Sequence, residues 1–313
     1  MNKHNMQRLQ ELALKNGPLC VGLDTDPSYI PENILSQYAS PAAAVLAYNK
    51  ALIKAVAAEN AACCFKVQIA YYEAMGLEGM KVFSQTLQSV RESGLIAISD
   101  IKRGDIAATA SAYARAHFSG DFETDLITVN PYMGFDTLKP FTEWSSPEKG
   151  GKGAFVLLCT SNPGMVDIEH QKLAGTDGCD GGLLLERVGD ELARISDEFK
   201  AFYPEQTCGV IGAVVGATQE SDARWIRDKY PEIFFLIPGY GAQGGAARIA
   251  ATLLDKAGGT VNSSRGILCA WKKDEKIAAA RDSGKLTMED IVAAAVRASI
   301  FSKEDLLKAK AEL

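Results

Sequence analysis

The segment Ile96-Ala97-Ile98-Ser99-Asp100-Ile101-Lys102-Arg103-Gly104-Asp105-Ile106-Ala107-Ala108-Thr109 decides the fold. Its apolar, β-branched start reads as a short buried strand, and Ala107 onward reads as a helix. The charged residues Asp100, Lys102 and Asp105 stand at the junction. Side chains alternate along a strand, so Asp100 and Lys102 are expected on one side of it. Charged groups at the end of a buried strand are paired or in use. The plain structural alternative is an ion pair plus an aspartate in the first helical turn, where the helix dipole favours it.

The same strand-then-helix unit recurs on both sides. Pro18 to Leu23 is an apolar run ending at Asp24, and Ala62 to Val67 carries Lys66 within it. Ile96 to Ser99, Leu126 to Val129, Ala154 to Leu158, Val210 to Val215, Ile233 to Ile237 and a weak Thr260 to Ser264 complete eight strands. Between them lie amphipathic helices. Ser40-Pro41 supplies one N-cap and first-turn proline, Gly94 closes the next helix, and Thr218 is the expected cap of the helix holding Trp225. Helices from Thr287 and Ser302 are expected to finish the chain.

Eight alternating units predict a parallel sheet closed into a (β/α)8 TIM barrel. No linker or shift in composition divides the 313 residues, so the expectation is one domain over 1–313, with its core at about 18–267 and C-terminal helices over 287–313. Two stretches, 143–153 and 165–182, are rich in Gly, Ser and Asp. They read as extended, exposed loops of the kind that form lids or family-specific insertions.

The formal net charge of −6 gives no basic footprint for nucleic acid. No apolar run reaches the ~20 residues of a membrane span. The first sixteen residues are polar and helical, unlike a signal peptide, so a cytoplasmic location is expected. Arg103-Gly104-Asp105 and Asn262-Ser263-Ser264 spell extracellular motifs that such a protein does not use. Seven cysteines (Cys20, Cys63, Cys64, Cys159, Cys179, Cys208 and Cys269), mostly in apolar runs, read as buried reduced thiols. The histidines His4, His117 and His170 match no zinc pattern, so no metal site is expected. Lysines and carboxylates are left to do the chemistry.

Active sites of such barrels lie at the carboxyl ends of the strands. The polar residues there are Asp24, Lys66, Asp100, Lys102, Asp105, Ser161, Gln243 and Arg265, from several strands that would meet at one face. Gly241-Ala242-Gln243-Gly244-Gly245 offers backbone N–H groups at a helix start, and Arg265 adds a guanidinium suited to phosphate oxygens. A plain glycine-rich turn would account for the glycines but not for Arg265.

These segments resemble the orotidine 5′-monophosphate decarboxylases, in particular the longer, type 2 bacterial subfamily. The resemblance rests on Gly22-Leu23-Asp24, Phe65-Lys66-Val67-Gln68, Ser99 to Ile106, Thr160-Ser161-Asn162-Pro163-Gly164, Pro238 to Gly244 and Ser264-Arg265-Gly266, in family order. It implies Lys102 as proton donor to C6 of the pyrimidine, with Asp100 near the substrate carboxylate and Lys66 and Asp105 completing an alternating charge network. It further implies Asp24 and Lys66 at the ribose, Ser161 at the pyrimidine edge, and Gln243 and Arg265 at the 5′-phosphate. The family works without a cofactor. It is dimeric, with the counterparts of Asp105 and Thr109 reaching into the neighbour's site. The resemblance thus implies a homodimer with shared sites acting on a small-molecule nucleotide in pyrimidine biosynthesis.

Two other readings remain. A related barrel decarboxylates sugar phosphates such as 3-keto-gulonate 6-phosphate and needs a divalent metal for an enediolate; the Thr160-Ser161-Asn162-Pro163 segment argues against it. A non-catalytic nucleotide-binding barrel would bind uridine monophosphate without turnover.

Overall fold

The computed structural model describes residues 3–175, 181–216, 218–240 and 246–313. Eight parallel strands close a barrel: β1 (Leu19–Leu23), β2 (Cys64–Gln68), β3 (Ile96–Arg103), β4 (Leu126–Val129), β5 (Gly153–Cys159), β6 (Ile211–Val215), β7 (Phe235–Ile237) and β8 (Gly259–Ser263). Each strand pairs with its sequence neighbours, and β8 returns to β1 through Leu19 opposite Val261. The long helices are α1 (Asn5–Asn16), α2 (Pro41–Ala58), α3 (Gly76–Glu92), α4 (Ala107–Phe118), α5 (Leu184–Phe199), α6 (Glu220–Lys229), α7 (Ala246–Leu253) and α8 (Met288–Ala311).

Strand alternation sorts the core into two. Ile96 and Ile98 point into the barrel beside Cys20, Cys64, Leu126, Phe155, Val214 and Leu236, and Met6 and Leu9 of α1 join this cluster. The intervening Ala97, with Val21, Phe65, Val67 and Ile127, packs outward against Val45, Leu52, Phe83 and Leu87 of the surrounding helices. The interior row is apolar low in the barrel and becomes charged as Cys64 gives way to Lys66, and Ile98 to Asp100. That change of character sets the end at which chemistry can occur.

The helix boundaries follow local chemistry. Ser40 accepts from the Ala43 N–H above Pro41, and Gly94 takes a left-handed φ of 81° after α3. Three expectations need correction. Gln219, not Thr218, occupies the N-cap of α6, with no side-chain cap. The C-terminal region is a single helix, because the Thr287–Asp290 capping box starts it and Ser302 lies buried within it. The stretch 143–153 is no exposed lid, since it leads into the amino end of β5, opposite the charged layer. Gly151 O accepts from Asn5 N, and the buried Lys152 ammonium meets Glu123 at 2.9 Å and Thr124 O at 2.8 Å.

The stretch 165–182 does lie at the carboxyl end. It carries a short antiparallel pairing of Lys172–Leu173 with Gly182–Leu183, and residues 176–180 lie outside the described part. Cys20, Cys63, Cys64, Cys159 and Cys208 are free and buried, Cys269 is half-buried, and Cys179 is outside the described residues. No helix among the described residues is long and apolar enough to cross a membrane.

Candidate active site

The mouth of the barrel over β1, β2 and β3 holds a continuous ion-pair chain. The Lys66 ammonium is 2.8 Å from Asp100 Oδ2 and 3.1 Å from Asp24 Oδ1, and Lys102 Nζ is 2.6 Å from Asp100 Oδ1. Lys66 and Asp100 are buried, whereas the Lys102 side chain is 45% exposed and faces the opening. Burial alone would neutralise Lys66, but Asp100 and Asp24 outweigh it and hold its pKa well above the ordinary lysine value. Burial likewise opposes the Asp100 carboxylate, yet Lys66 and Lys102 hold its pKa well below the usual range. The two buried charges, Lys66 and Asp100, are therefore fixed across the accessible pH range, and Lys102 is the more open of the two lysines.

Simple alternation does not explain how Lys102 reaches Asp100. The β3–β4 ladder shifts register between Ser99 and Arg103, and Lys102 takes a left-handed φ of 43°. A non-glycine residue held there stores of order 1–2 kcal/mol of strain. Thr128 of β4 fills the gap. Its hydroxyl oxygen accepts from the N–H groups of Ile101 (3.0 Å) and Lys102 (2.9 Å) and donates to Asp100 Oδ1 at 2.9 Å. One threonine thus satisfies the bulge and orients the central carboxylate. Nothing in the sequence marks Thr128 as special, because a β-branched residue within Leu126–Val129 is also ordinary strand material.

A second support comes from β8. Ser264 donates to Asp24 Oδ2 at 2.7 Å and accepts from the Asn262 amide at 3.2 Å. Gly22 makes this possible: a Cβ there would lie 2.1 Å from Ser264 Oγ and 2.7 Å from Asn262 Oδ1. The glycine preceding Leu23-Asp24 is thus dictated by the approach of β8.

The remaining expected residues are distributed unevenly. Asp105 does not join the chain of charges. It lies before α4 rather than in its first turn, accepts from Ile106 N at 2.8 Å, and reaches none of the lysines within ion-pair distance. Thr109 is exposed on α4. The bulge at Lys102 directs the segment after it away from the ion pairs. Ser161 is exposed above the carboxyl ends of β6 and β7, seated on Gly216, where a Cβ would come within 3.0 Å of Ser161 N. Arg265 opens a short helix, Arg265–Leu268, and lines a cavity of about 1160 Å³ with Asp24, Gly239, Tyr240, Asn262 and Ser264. Gln243, with Gly241 to Gly245, lies outside the described residues.

A closed parallel barrel with paired lysines and aspartates at the carboxyl ends of its first strands, and a cationic cavity after the eighth, is the layout of a (β/α)8 enzyme for a small anionic substrate. The relatives agree with that class. The chain belongs to the orotidine 5′-phosphate decarboxylase / HUMPS family, whose model matches residues 17–281.

It is 47% identical over 273 residues to the orotidine 5′-phosphate decarboxylase of Clostridium novyi (strain NT), covering 86% of this chain and 90% of the relative. Against the same-named protein of Clostridium perfringens (strain SM101 / Type A) it is 48% identical over 269 residues, with the same coverage. Among solved structures, the OMP decarboxylase of Leishmania donovani superposes with a TM-score of 0.63 at 29% identity, covering 92% of this chain and 97% of that one. The Plasmodium berghei orotidine 5′-monophosphate decarboxylase gives a TM-score of 0.70 at 18% identity, covering 97% of this chain and 100% of that one; it is a likeness of fold.

Proposed function

We propose that this chain converts orotidine 5′-monophosphate to uridine 5′-monophosphate and carbon dioxide, with Lys102 as proton donor. The observation that carries the reading is the exposed Lys102 ammonium held 2.6 Å from the buried Asp100 carboxylate, in a chain of the decarboxylase family. Breaking the bond from C6 to the carboxylate releases carbon dioxide and leaves the electron pair on C6, with no adjacent carbonyl to delocalise it. A fixed ammonium at that carbon stabilises the developing charge and then supplies the proton. Solvent returns a proton to Lys102, which the half-open position of its side chain permits.

Asp100 has the companion role beside the substrate carboxylate, and the electrostatic conflict there is relieved when carbon dioxide leaves. Asp24 and Lys66 fit the ribose hydroxyls, Ser161 the pyrimidine edge, and Arg265 with Gln243 the 5′-phosphate, whose binding energy orients the ring. The enzyme acts as a homodimer in this reading. Exposed Ile106, Tyr132 and Met133 on the loops after β3 and β4 offer an apolar contact near Asp105 and Thr109, and those two residues serve the partner's site. Residues 1–313 form one cytoplasmic, single-domain enzyme that uses no cofactor and no metal.

The test is the ultraviolet absorbance of orotidine 5′-monophosphate mixed with the protein in excess EDTA. Loss of the orotate chromophore is expected with the native chain, and none with Lys102→Ala, which still binds uridine monophosphate. Turnover that survives Lys102→Ala, or that requires added magnesium, refutes the mechanism. Binding of uridine monophosphate by the native chain without any turnover would instead leave a nucleotide-binding barrel.

A further inference from the structure

We infer that Glu169 is a positioning residue that holds the Thr160–Gly164 segment in place for recognition of the base. Beyond Cys159 the β5 strand ends, and Thr160 N–H turns away from the barrel ladder to donate to Glu169 Oε2 at 2.8 Å. The other carboxylate oxygen, Oε1, accepts from Thr160 Oγ1 at 2.7 Å. Both oxygens of one side chain are thus committed to a single residue nine positions earlier. No Lys, Arg or His among the described residues forms an ion pair with Glu169. The carboxylate is half-buried and answered only by neutral dipoles, an arrangement that puts its desolvation cost into fixing backbone.

The segment carrying Glu169 is itself anchored. Its N–H donates to Met165 O at 2.8 Å, and its carbonyl accepts from Leu185 N at 3.0 Å. Gln171 O accepts from Leu184 N at 2.9 Å, and the Gln171 amide donates to Val166 O at 2.8 Å. Residues 163–171 therefore form a compact strap fastened to the start of α5, and Glu169 is the clasp joining that strap to the end of β5. Ser161 and Asn162 sit inside the closed loop. Thr160 Oγ1 also lies 2.7 Å from Asn162 Oδ1, a second acceptor for the one hydroxyl proton that the carboxylate takes. Gly216 limits movement from below.

Without the clasp, Thr160 N–H loses its acceptor and the loop carrying Ser161 gains rotational freedom, which weakens every contact made to the base. The inference rests on the proposed role of Ser161 at the pyrimidine edge. It predicts a selective effect: ligands with a base suffer, and ligands with only sugar and phosphate do not. The glutamine variant should preserve the clasp. Its Oε1 can accept from Thr160 N–H, and its amide can donate to Thr160 Oγ1, whose proton then goes to Asn162 Oδ1.

The experiment compares Glu169→Ala, Glu169→Gln, Thr160→Val and the double variant Glu169→Ala/Thr160→Val, each with its melting temperature. Turnover of orotidine 5′-monophosphate is measured, with inhibition by uridine monophosphate and by ribose 5-phosphate. Glu169→Ala is expected to lower kcat/KM about tenfold, mostly through KM, and to weaken uridine monophosphate by a similar factor. Ribose 5-phosphate should bind as before, and Glu169→Gln should stay within about threefold of the native chain. The double variant should be no worse than Glu169→Ala, because both changes open one clasp.

Equal weakening of uridine monophosphate and ribose 5-phosphate overturns the inference, as does an alanine variant with native kinetics. If Glu169→Ala does not fold, Thr160→Val and Glu169→Gln decide: a base-selective loss in the former with native behaviour in the latter supports the clasp, and any other pattern overturns it. Absence of turnover in the native chain would count against the proposed function, whereas selective weakening of uridine monophosphate could still be read by binding alone.

Discussion

Replacing Thr128 with valine preserves shape and removes one oxygen, which makes it the sharpest test of how the site is built. That oxygen accepts two backbone N–H groups and donates to Asp100. Thr128 is 1% exposed, so no water replaces the hydroxyl. The Ile101 N–H is buried, and leaving it unpaired costs about 1–3 kcal/mol. The part-buried Lys102 N–H adds roughly 1 kcal/mol. The lost bond to an ionised carboxylate adds a further ~1 kcal/mol, discounted because both lysines still hold Asp100. The expected destabilisation is about 3–5 kcal/mol by that sum.

Catalysis should suffer as well, since the left-handed turn at Lys102 loses its brace. A misplacement of about 1 Å at the reacting ammonium is worth on the order of a hundredfold in rate. Thr128→Ser keeps the oxygen and gives up one methyl group, so it should cost about 1 kcal/mol and leave turnover within a few-fold. Urea unfolding followed by tryptophan fluorescence, together with the absorbance assay for turnover, reads both effects. A valine variant within about 0.5 kcal/mol of the native chain and equally active would refute the bracing role of Thr128.

Other expectations follow from buried polar groups and from the dimer. His4 is fully buried, with Nδ1 accepting from Met6 N and Nε2 bonded to Lys152 O; burial drags its pKa from 6.5 down to about 3. The unfolded chain therefore binds the proton first, and stability falls as pH drops below about 6.5, by about 2 kcal/mol at pH 5 from this residue. His117, held near 4 by burial and by Arg103, acts in the same direction, so His4→Gln should reduce the acid slope without abolishing it; an unchanged slope in pH-dependent urea melts would refute the assignment. Arg227 is fully buried, donates to the carbonyls of Leu253, Tyr230, Ile233 and Gly258, and stacks 3.6 Å from the Phe235 ring centroid. Arg227→Met should cost about 3 kcal/mol or more in a denaturant melt, and a loss below about 1 kcal/mol would mean those carbonyls find other donors. Finally, Lys102→Ala and Asp105→Ala chains, each inactive alone, should recover about a quarter of native activity when unfolded and refolded together, because half of the dimers hold one intact site. No recovery would remove Asp105 from the partner's site.

Much of this protein was legible as pattern. Ile96-Ala97-Ile98 alternates between the barrel interior and the helix layer, and repetition of that unit specifies eight strands and their order. Asp24, Lys66, Asp100 and Lys102 could be placed at one end because strand direction is shared in a parallel barrel. What the sequence could not convey was contact between distant residues. That Asp24 rather than Asp105 joins Lys66 depends on the neighbouring register of β1 and β2, with Gly22 opposite Lys66. That Lys102 meets Asp100 depends on a bulge braced by Thr128 from the next strand, and the pleat alone would have given the same pairing for the wrong reason. The stretch 143–153 looked exposed because small polar residues carry no sign of which barrel end they cover.

Hydrophobic periodicity and backbone propensity act within a few residues, so the chain determined its own strands, helices and the polarity of the barrel. The pairing of Lys66 with Asp24 and Asp100 and the Thr128 brace at Lys102 arise between residues brought together by neighbouring strands, and the Glu169 clasp forms within the loop that follows β5. There, hydrogen-bond geometry and the cost of burying an unpaired group select the partner, and only the tertiary structure decides which one it is.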